Sequence, residues 1–230
     1  MHFDLDEMDA KPRFNLLAAL VVPRPIAWVT SVSDAGVLNA APFSFFNLMS
    51  GSPPILCLGL ETRDGKPKDT ARNIQETGEF VVNLVSRELV GQMVVTAIDF
   101  GAEVDEVAEA GLAVQSSSHV RPPRLAASPA ALECRMMQMI SIGTTRSIVI
   151  ATVLAVEVAD QFMLNPARGH VDSPALELVG RMHAGAWYST TVDCFRIPRI
   201  PADEWTPALQ APQDGSRGRS PLAHEVSDNR

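Results

Sequence analysis

The stretch PRPIAWVTSVSDAGVLNAAPFSFFNLMS, from Pro23 to Ser50, decides how this chain is read. Its first part, Pro25 to Ser33, is a short apolar run rich in β-branched and aromatic residues; Asp34 to Gly36 then supplies turn chemistry. A strand therefore turns and returns into an irregular run of small and aromatic residues. Ala40, Ala41 and Ser44 let a flat ligand approach the backbone, while Thr30, Ser31, Ser44 and Asn47 offer donors and acceptors to the polar edge of a heteroaromatic ring. Phe43, Phe45 and Phe46 read equally well as buried payload of a packed hairpin.

Working outward, the same punctuation recurs. Pro54 to Leu60, Glu79 to Leu84, Ala130 to Ile142 and Ser147 to Asp160 are predicted strands, with Val192 to Ile197 a shorter one. The odd-even order slips between Met136 and Met137, which predicts a bulge. The strand from Ser147 is apolar on both faces, with Ile148, Ile150, Leu154, Val156 and Val158 alternating with Val149, Ala151, Val153 and Ala155. Such a strand needs cover twice, from the barrel interior on one side and from a helix or second subunit on the other. Two segments have helical spacing instead, Lys68 to Thr77 and Arg87 to Ile98; the first ends at Gly78 and opens with Asp69 or Thr70 as a side-chain cap.

The loop before that helix, ETRDGKPKDTARNI from Glu61 to Ile74, is the second candidate site. Helix starts carry unpaired backbone N–H groups and the positive end of the dipole, and Arg63, Lys68 and the Thr70 hydroxyl add charge and a donor for a phosphate. A solvated loop with a capped helix accounts for the same residues.

A formal net charge of −8 without any basic block argues against nucleic acid as a partner, since phosphate-tracking grooves need clustered Lys and Arg. No apolar run has the length of a membrane span, and Met1 to Ala10 lacks a cationic leader, so a cytoplasmic protein is expected. Cys57, Cys134 and Cys194 are far apart and show neither disulfide nor metal spacing; they read as apolar filler in strands. After Pro201 the composition turns to Pro, Ala, Gln, Gly, Ser and charge, giving an expected domain over 1–200 and a poorly ordered tail over 201–230.

Taken in order, these segments and GEFVVNLV at Gly78 to Val85 resemble the flavin-reductase-like family of FMN-binding split barrels, which includes flavoredoxin-like proteins. SSSHVRPPRLAASPAALECRM from Ser116 to Met136 and LVGRMHAGAWYS from Leu178 to Ser189 continue the resemblance, which runs from about Pro23 to Ile197. It implies a mainly β fold, a six-stranded antiparallel Greek-key split barrel with a few peripheral helices. It further implies a homodimer with FMN near the subunit interface, reduced by NADH or NADPH. On this resemblance Thr30, Ser31, Ser44, Phe45 and Asn47 line the flavin ring and ribityl region. Arg63, Lys68, Asp69 and Thr70 surround the phosphate, and Arg181 and Tyr188 close the site from the C-terminal side. The activity implied is an NAD(P)H-dependent flavin reductase serving an acceptor such as a partner monooxygenase; an FMN electron-transfer protein or a non-catalytic flavin-binding module are the alternatives. The chain departs from the family in carrying Met182, His183 and Ala184 before Gly185, where relatives are glycine-rich. No catalytic residue is assigned, because hydride transfer to a flavin is the cofactor's own chemistry.

Overall fold

The computed structural model describes residues 1–63, 66–101, 104–199 and 201–202, with 63, 66 and 67 described by their backbone alone. Within these residues the strands are β1 (Arg24–Pro25), β2 (Ala27–Val32), β3 (Leu38–Phe43), β4 (Phe46–Gly51), β5 (Pro54–Arg63), β6 (Lys66–Pro67), β7 (Glu79–Asn83), β8 (Ala130–Ile142), β9 (Arg146–Val158), β10 (Val179–Met182) and β11 (Trp187–Thr190), besides two short two-stranded pairings. The helices are α1 (Ala10–Leu20), α2 (Asp69–Thr77), α3 (Val90–Val95) and α4 (Glu106–Glu109).

Seven strands form one antiparallel path, β3-β2-β7-β8-β9-β5-β4, and β6 pairs with β5 to make an eight-stranded sheet. The expected count of six is corrected, because the return from Asp34 and the run after Phe45 are each regular enough to pair, as β3 and β4. The two end strands, β3 and β4, are joined by Ser44 and Phe45 alone. A two-residue link cannot span an open sheet, so the sheet curls until its ends meet. They meet without pairing to each other, leaving a seam in the wall. Gly59 of β5 donates to the Phe45 carbonyl at 2.7 Å, and a Cβ added there would lie 2.9 Å from Phe45 Cβ, so this approach requires glycine.

Two cores flank the sheet. Inside the curl, Val29, Leu56, Leu58, Phe80, Val82, Val149 and Ala151 pack with Ala71 and Ile74 of α2, which plugs one end. Outside it, Ile26, Trp28, Met93, Leu125 and Val179 join β2 to α3 and to the small sheet β1-β10-β11. Each fully buried Leu or Phe of the inner set contributes about 1.5–3 kcal/mol. Because β2 is buried on both sides, its residues alternate between the two cores.

The bulge is present, with register shifts at Met136/Gln138 and at Glu133/Cys134. The helices at Lys68–Thr77 and Arg87–Ile98 form too, the latter as a 3₁₀ turn followed by α3, and Gly78 ends α2 in the left-handed region at φ 72°. The N-cap of α2 is Lys68 rather than Asp69 or Thr70, and it gives no side-chain cap; Asp69 instead accepts from Arg72 Nη2 at 2.6 Å. Val192 to Ile197 makes no strand, since no neighbouring edge takes it up. Cys194 consequently lies outside any strand, whereas burial within β8 pushes the Cys134 thiol up to about 12. Helix α1 escaped the sequence reading because only Ala18 of its residues is buried, and an apolar stripe is thus missing. All of the expected tail beyond its first two residues, 203–230, lies outside the described residues. No helix is long and apolar enough to cross a membrane, and no three-residue His, Cys, Asp or Glu group could hold a metal, among the described residues.

Candidate active site

Three adjoining cavities lie along the seam, each lined by a different part of Ala41–Asn47. The first, about 350 Å³, lies between β3, the start of α2 and the turn after α3, and includes Lys68, Asp69, Thr70, Thr96 and Glu106. It shares Pro42, Phe43 and Ala97 with the second, about 300 Å³, where Arg24, Ser44, Arg181, His183 and Tyr188 converge. That cavity shares Arg24 and Ser44 with the third, about 560 Å³ and mostly apolar, which includes Phe45, Asn47, Gly59 and Ile148.

At the first cavity a polar network ties three elements together. Ala40 N donates to Glu106 Oε2 at 3.3 Å, Asn39 donates to Glu106 Oε1 at 3.2 Å, and the Thr70 hydroxyl donates to Asn39 Oδ1 at 2.9 Å. Burial pushes the Glu106 carboxyl above its ordinary range, the amides of Glu106 itself and Ala40 pull it down, and the charges of Asp69 and Asp105 add to the rise. The first turn of α2 keeps its backbone N–H groups free of any side-chain cap, with the Lys68 side chain exposed beside them. That end can take an anion at its rim.

At the second cavity the donors are guanidinium groups. Arg24, 6% exposed, sends Nη1 to the carbonyls of Ala18 (2.6 Å) and Val21 (2.9 Å), and Nη2 to that of His183 (2.9 Å). Arg181 donates from Nη1 to the Tyr188 hydroxyl. His183 sits at φ 44° in the tight turn between β10 and β11, and His183, Ala184 and Gly185 of that turn line this cavity.

The site residues expected from sequence divide clearly. Ser44, Phe45, Asn47, Lys68, Asp69, Thr70, Arg181 and Tyr188 all line the seam. Thr30 and Ser31 line none of the three cavities. Thr30 Oγ1 donates to the Pro123 carbonyl at 2.6 Å, and Ser31 Oγ accepts from Asn73 Nδ2 at 3.2 Å. As neighbours on a strand buried twice over, they point one into each core. The Arg63 side chain lies outside the described residues. Sequence reasoning missed Arg24, Asn39 and Glu106. Arg24 between two prolines, before an apolar strand, was a visible oddity; nothing local marks Glu106.

Residues 19–174 match the model of the "Flavin reductase like domain". The chain belongs to this flavin reductase like family. An uncharacterized protein of Deinococcus radiodurans is 42% identical over 93% of this flavin-reductase-like chain and 96% of its own. Among solved structures, nitrilotriacetate monooxygenase component B from Bacillus cereus superposes with a TM-score of 0.81 at 28% identity, covering 86% of this chain and 98% of that one. The 2-nitrobenzoate 2-nitroreductase of Pseudomonas fluorescens does so with a TM-score of 0.81 at 29% identity, covering 91% and 100%. Split-barrel flavin reductase structures share the fold. As a member of the family, the chain has a flavin-related oxidoreductase site as its functional centre.

Proposed function

We propose that this chain is a cytoplasmic, homodimeric FMN-binding oxidoreductase that is reduced by NADH or NADPH and supplies reduced flavin or electrons to an acceptor, a partner monooxygenase among them. The observation that carries this reading is the seam itself. It is a row of three adjoining cavities, polar beside an uncapped helix start, with guanidinium groups in the middle one and mostly apolar in the last. The residues present suit the cofactor: Pro42 and Phe43 offer flat apolar surface for a ring, and the rim at Lys68 and Thr70 offers amide and ammonium donors for a phosphate. FMN supplies the hydride-accepting and electron-passing chemistry when bound.

The chain's own residues then have distinct tasks. Lys68 and the α2 start hold the phosphate, with Arg63 added from the end of β5, and Asp69 is held in an ion pair with Arg72. Ser44, Phe45 and Asn47 flank the ring region, while Arg181 and Tyr188 close the groove against water. The similarity to a monooxygenase component B supports a partner oxygenase as acceptor.

The dimer is supported by the outer face of the β8–β9 hairpin, where Met137 (63%), Ile140 (37%) and Ile142 (50%) stay exposed in one chain, an apolar patch of the kind a second subunit covers. Light scattering at micromolar concentration tests it, with a monomer as the adverse result. For the cofactor, FMN and riboflavin are titrated by flavin fluorescence, with FMN binding the tighter. Anaerobic addition of NADH and NADPH to the FMN-loaded protein follows. Bleaching of the flavin absorption supports a reductase; no bleaching with either nucleotide rules it out.

A further inference from the structure

We infer that Arg24, Arg181 and Tyr188 form an oxyanion subsite, one that recognises the carboxylate or phosphate of an apolar-bodied second substrate. The inference rests on reading the seam as a ligand groove and names the chemistry at the end away from α2.

The three residues stand in one row. Arg24 of β1 is the register partner of Arg181 of β10, and Arg181 is the partner of Tyr188 of β11, so their side chains share a face. Like charges directly opposite on neighbouring strands are destabilising. Only neutral groups serve this pair, three carbonyls at Arg24 and the hydroxyl and ring of Tyr188 at Arg181. No acid lines their cavity, and no ion pair to either arginine exists among the described residues. The Arg24 guanidinium is driven below its ordinary value by burial and then by Arg181. Its Nε is buried without a hydrogen-bond partner. The contacts of Arg24 to Ala18 and Val21 explain why it fastens the end of α1; they leave unexplained why a second guanidinium faces it. Antiparallel backbone pairing of Arg24–Pro25 with Gly180–Arg181 holds β1 against β10 and keeps the two cations opposite each other, with Gly180 so close to Pro23 that an added Cβ would lie 2.8 Å from Pro23 Cβ.

The one Nη2 proton that Arg24 has left, the free guanidinium protons of Arg181 and the Tyr188 hydroxyl proton match an oxyanion, which accepts charge-assisted hydrogen bonds from all three. Phe14, Ile26, Phe43 and Met93 give the wall an apolar part around the row, beside Ser44 and His183. A ligand that satisfies both features has an apolar or aromatic body and one anionic end. Small organic carboxylates meet this description, and so does the phosphate end of a nicotinamide nucleotide.

The test uses the full-length protein, with and without FMN, titrated by calorimetry against benzoate, benzamide and inorganic pyrophosphate, with NADPH compared against NADH. Benzoate or pyrophosphate is expected to bind saturably, with benzoate at least tenfold tighter than the uncharged benzamide if the carboxylate is the source, and pyrophosphate together with an NADPH preference if the phosphate is. Arg181→Gln should weaken that anion at least tenfold, and Arg181→Lys should recover part of the loss. Because Arg24→Met can loosen α1, Tyr188→Phe serves as the milder second variant, with an expected loss of about threefold. Absence of any anion binding, or an Arg181→Gln protein that binds anions unchanged, overturns the proposal. So does an Arg181→Gln protein that loses FMN and not the anion. Failure of the wild-type protein to bind FMN would strike the proposed function instead, since the anion titration of the FMN-free chain reads the subsite on its own.

Discussion

The polar side chains beside β2 and those along the seam come from the same kinds of residue, yet the two regions use them in opposite ways. Beside β2 the polar side chains hydrogen-bond to neighbouring strands and loops of the protein. Asn83 Nδ2 donates to the Trp28 carbonyl (2.9 Å) and to Thr30 Oγ1 (3.2 Å), and its Oδ1 accepts from Leu125 N (2.8 Å). Glu133, also buried, accepts from Ser118 N (2.8 Å) and His119 N (2.6 Å), which fastens the segment carrying His119 to Arg124 across the sheet. Along the seam, by contrast, the α2 start has no side-chain cap and the guanidinium row has no acid. A hydroxyl's residue type is therefore a poor guide to its role. What separates scaffold from site is whether neighbouring strands already satisfy it.

The sharpest way to break this comparison is at Asn83. Asn83→Ala removes three buried hydrogen bonds and leaves their partners unsatisfied, for a loss of about 3 kcal/mol in chemical denaturation. FMN affinity of the folded fraction should stay within about twofold. A variant of normal stability that loses FMN would place Asn83 in the site and erase the distinction. Closing the seam comes next. Gly59→Ala sets a methyl against Phe45 Cβ and the Phe45 carbonyl, and stability should fall by about 1–3 kcal/mol in thermal or urea unfolding; an unaltered midpoint would show that the seam yields freely.

Lys68→Ala tests the open end. Its side chain is exposed, so stability should move by no more than about 0.5 kcal/mol, while FMN should weaken about tenfold and riboflavin should not. Equal effects on the two flavins would take the phosphate away from α2. The smallest effect is the pH dependence at Glu106. Its folded pKa is raised above the ordinary value of 4.5, so the folded chain holds this proton more tightly than the unfolded one. The resulting stabilisation is complete below about 4.5 and disappears as pH rises through the raised folded value. Wild-type stability measured against Glu106→Gln should accordingly decline across that window, and parallel curves for the two proteins would contradict the assignment.

Much of this was legible in the residues themselves. Period-two patterning located β5, β7, β8 and β9 because those strands carry large β-branched side chains between turn residues, and the slip at Met136 foretold a bulge since side-chain parity changes there. Gly78 marked the end of α2 for a local reason, its left-handed backbone. The Lys68–Thr70 helix start and the Ser44–Asn47 run were also readable, since turn and helix-start chemistry is written in adjacent residues. Tertiary structure alone decided which hydroxyls face the seam, because Thr30 and Ser31 differ from Ser44 in having Pro123 and Asn73 brought against them by distant segments. It alone placed Glu106 beneath β3 and set Arg24 opposite Arg181, residues separated by more than half the chain whose meeting depends on strand register. Local propensity acts over a few residues, whereas a site of this kind is assembled by the curl of a sheet whose two ends are joined by only Ser44 and Phe45.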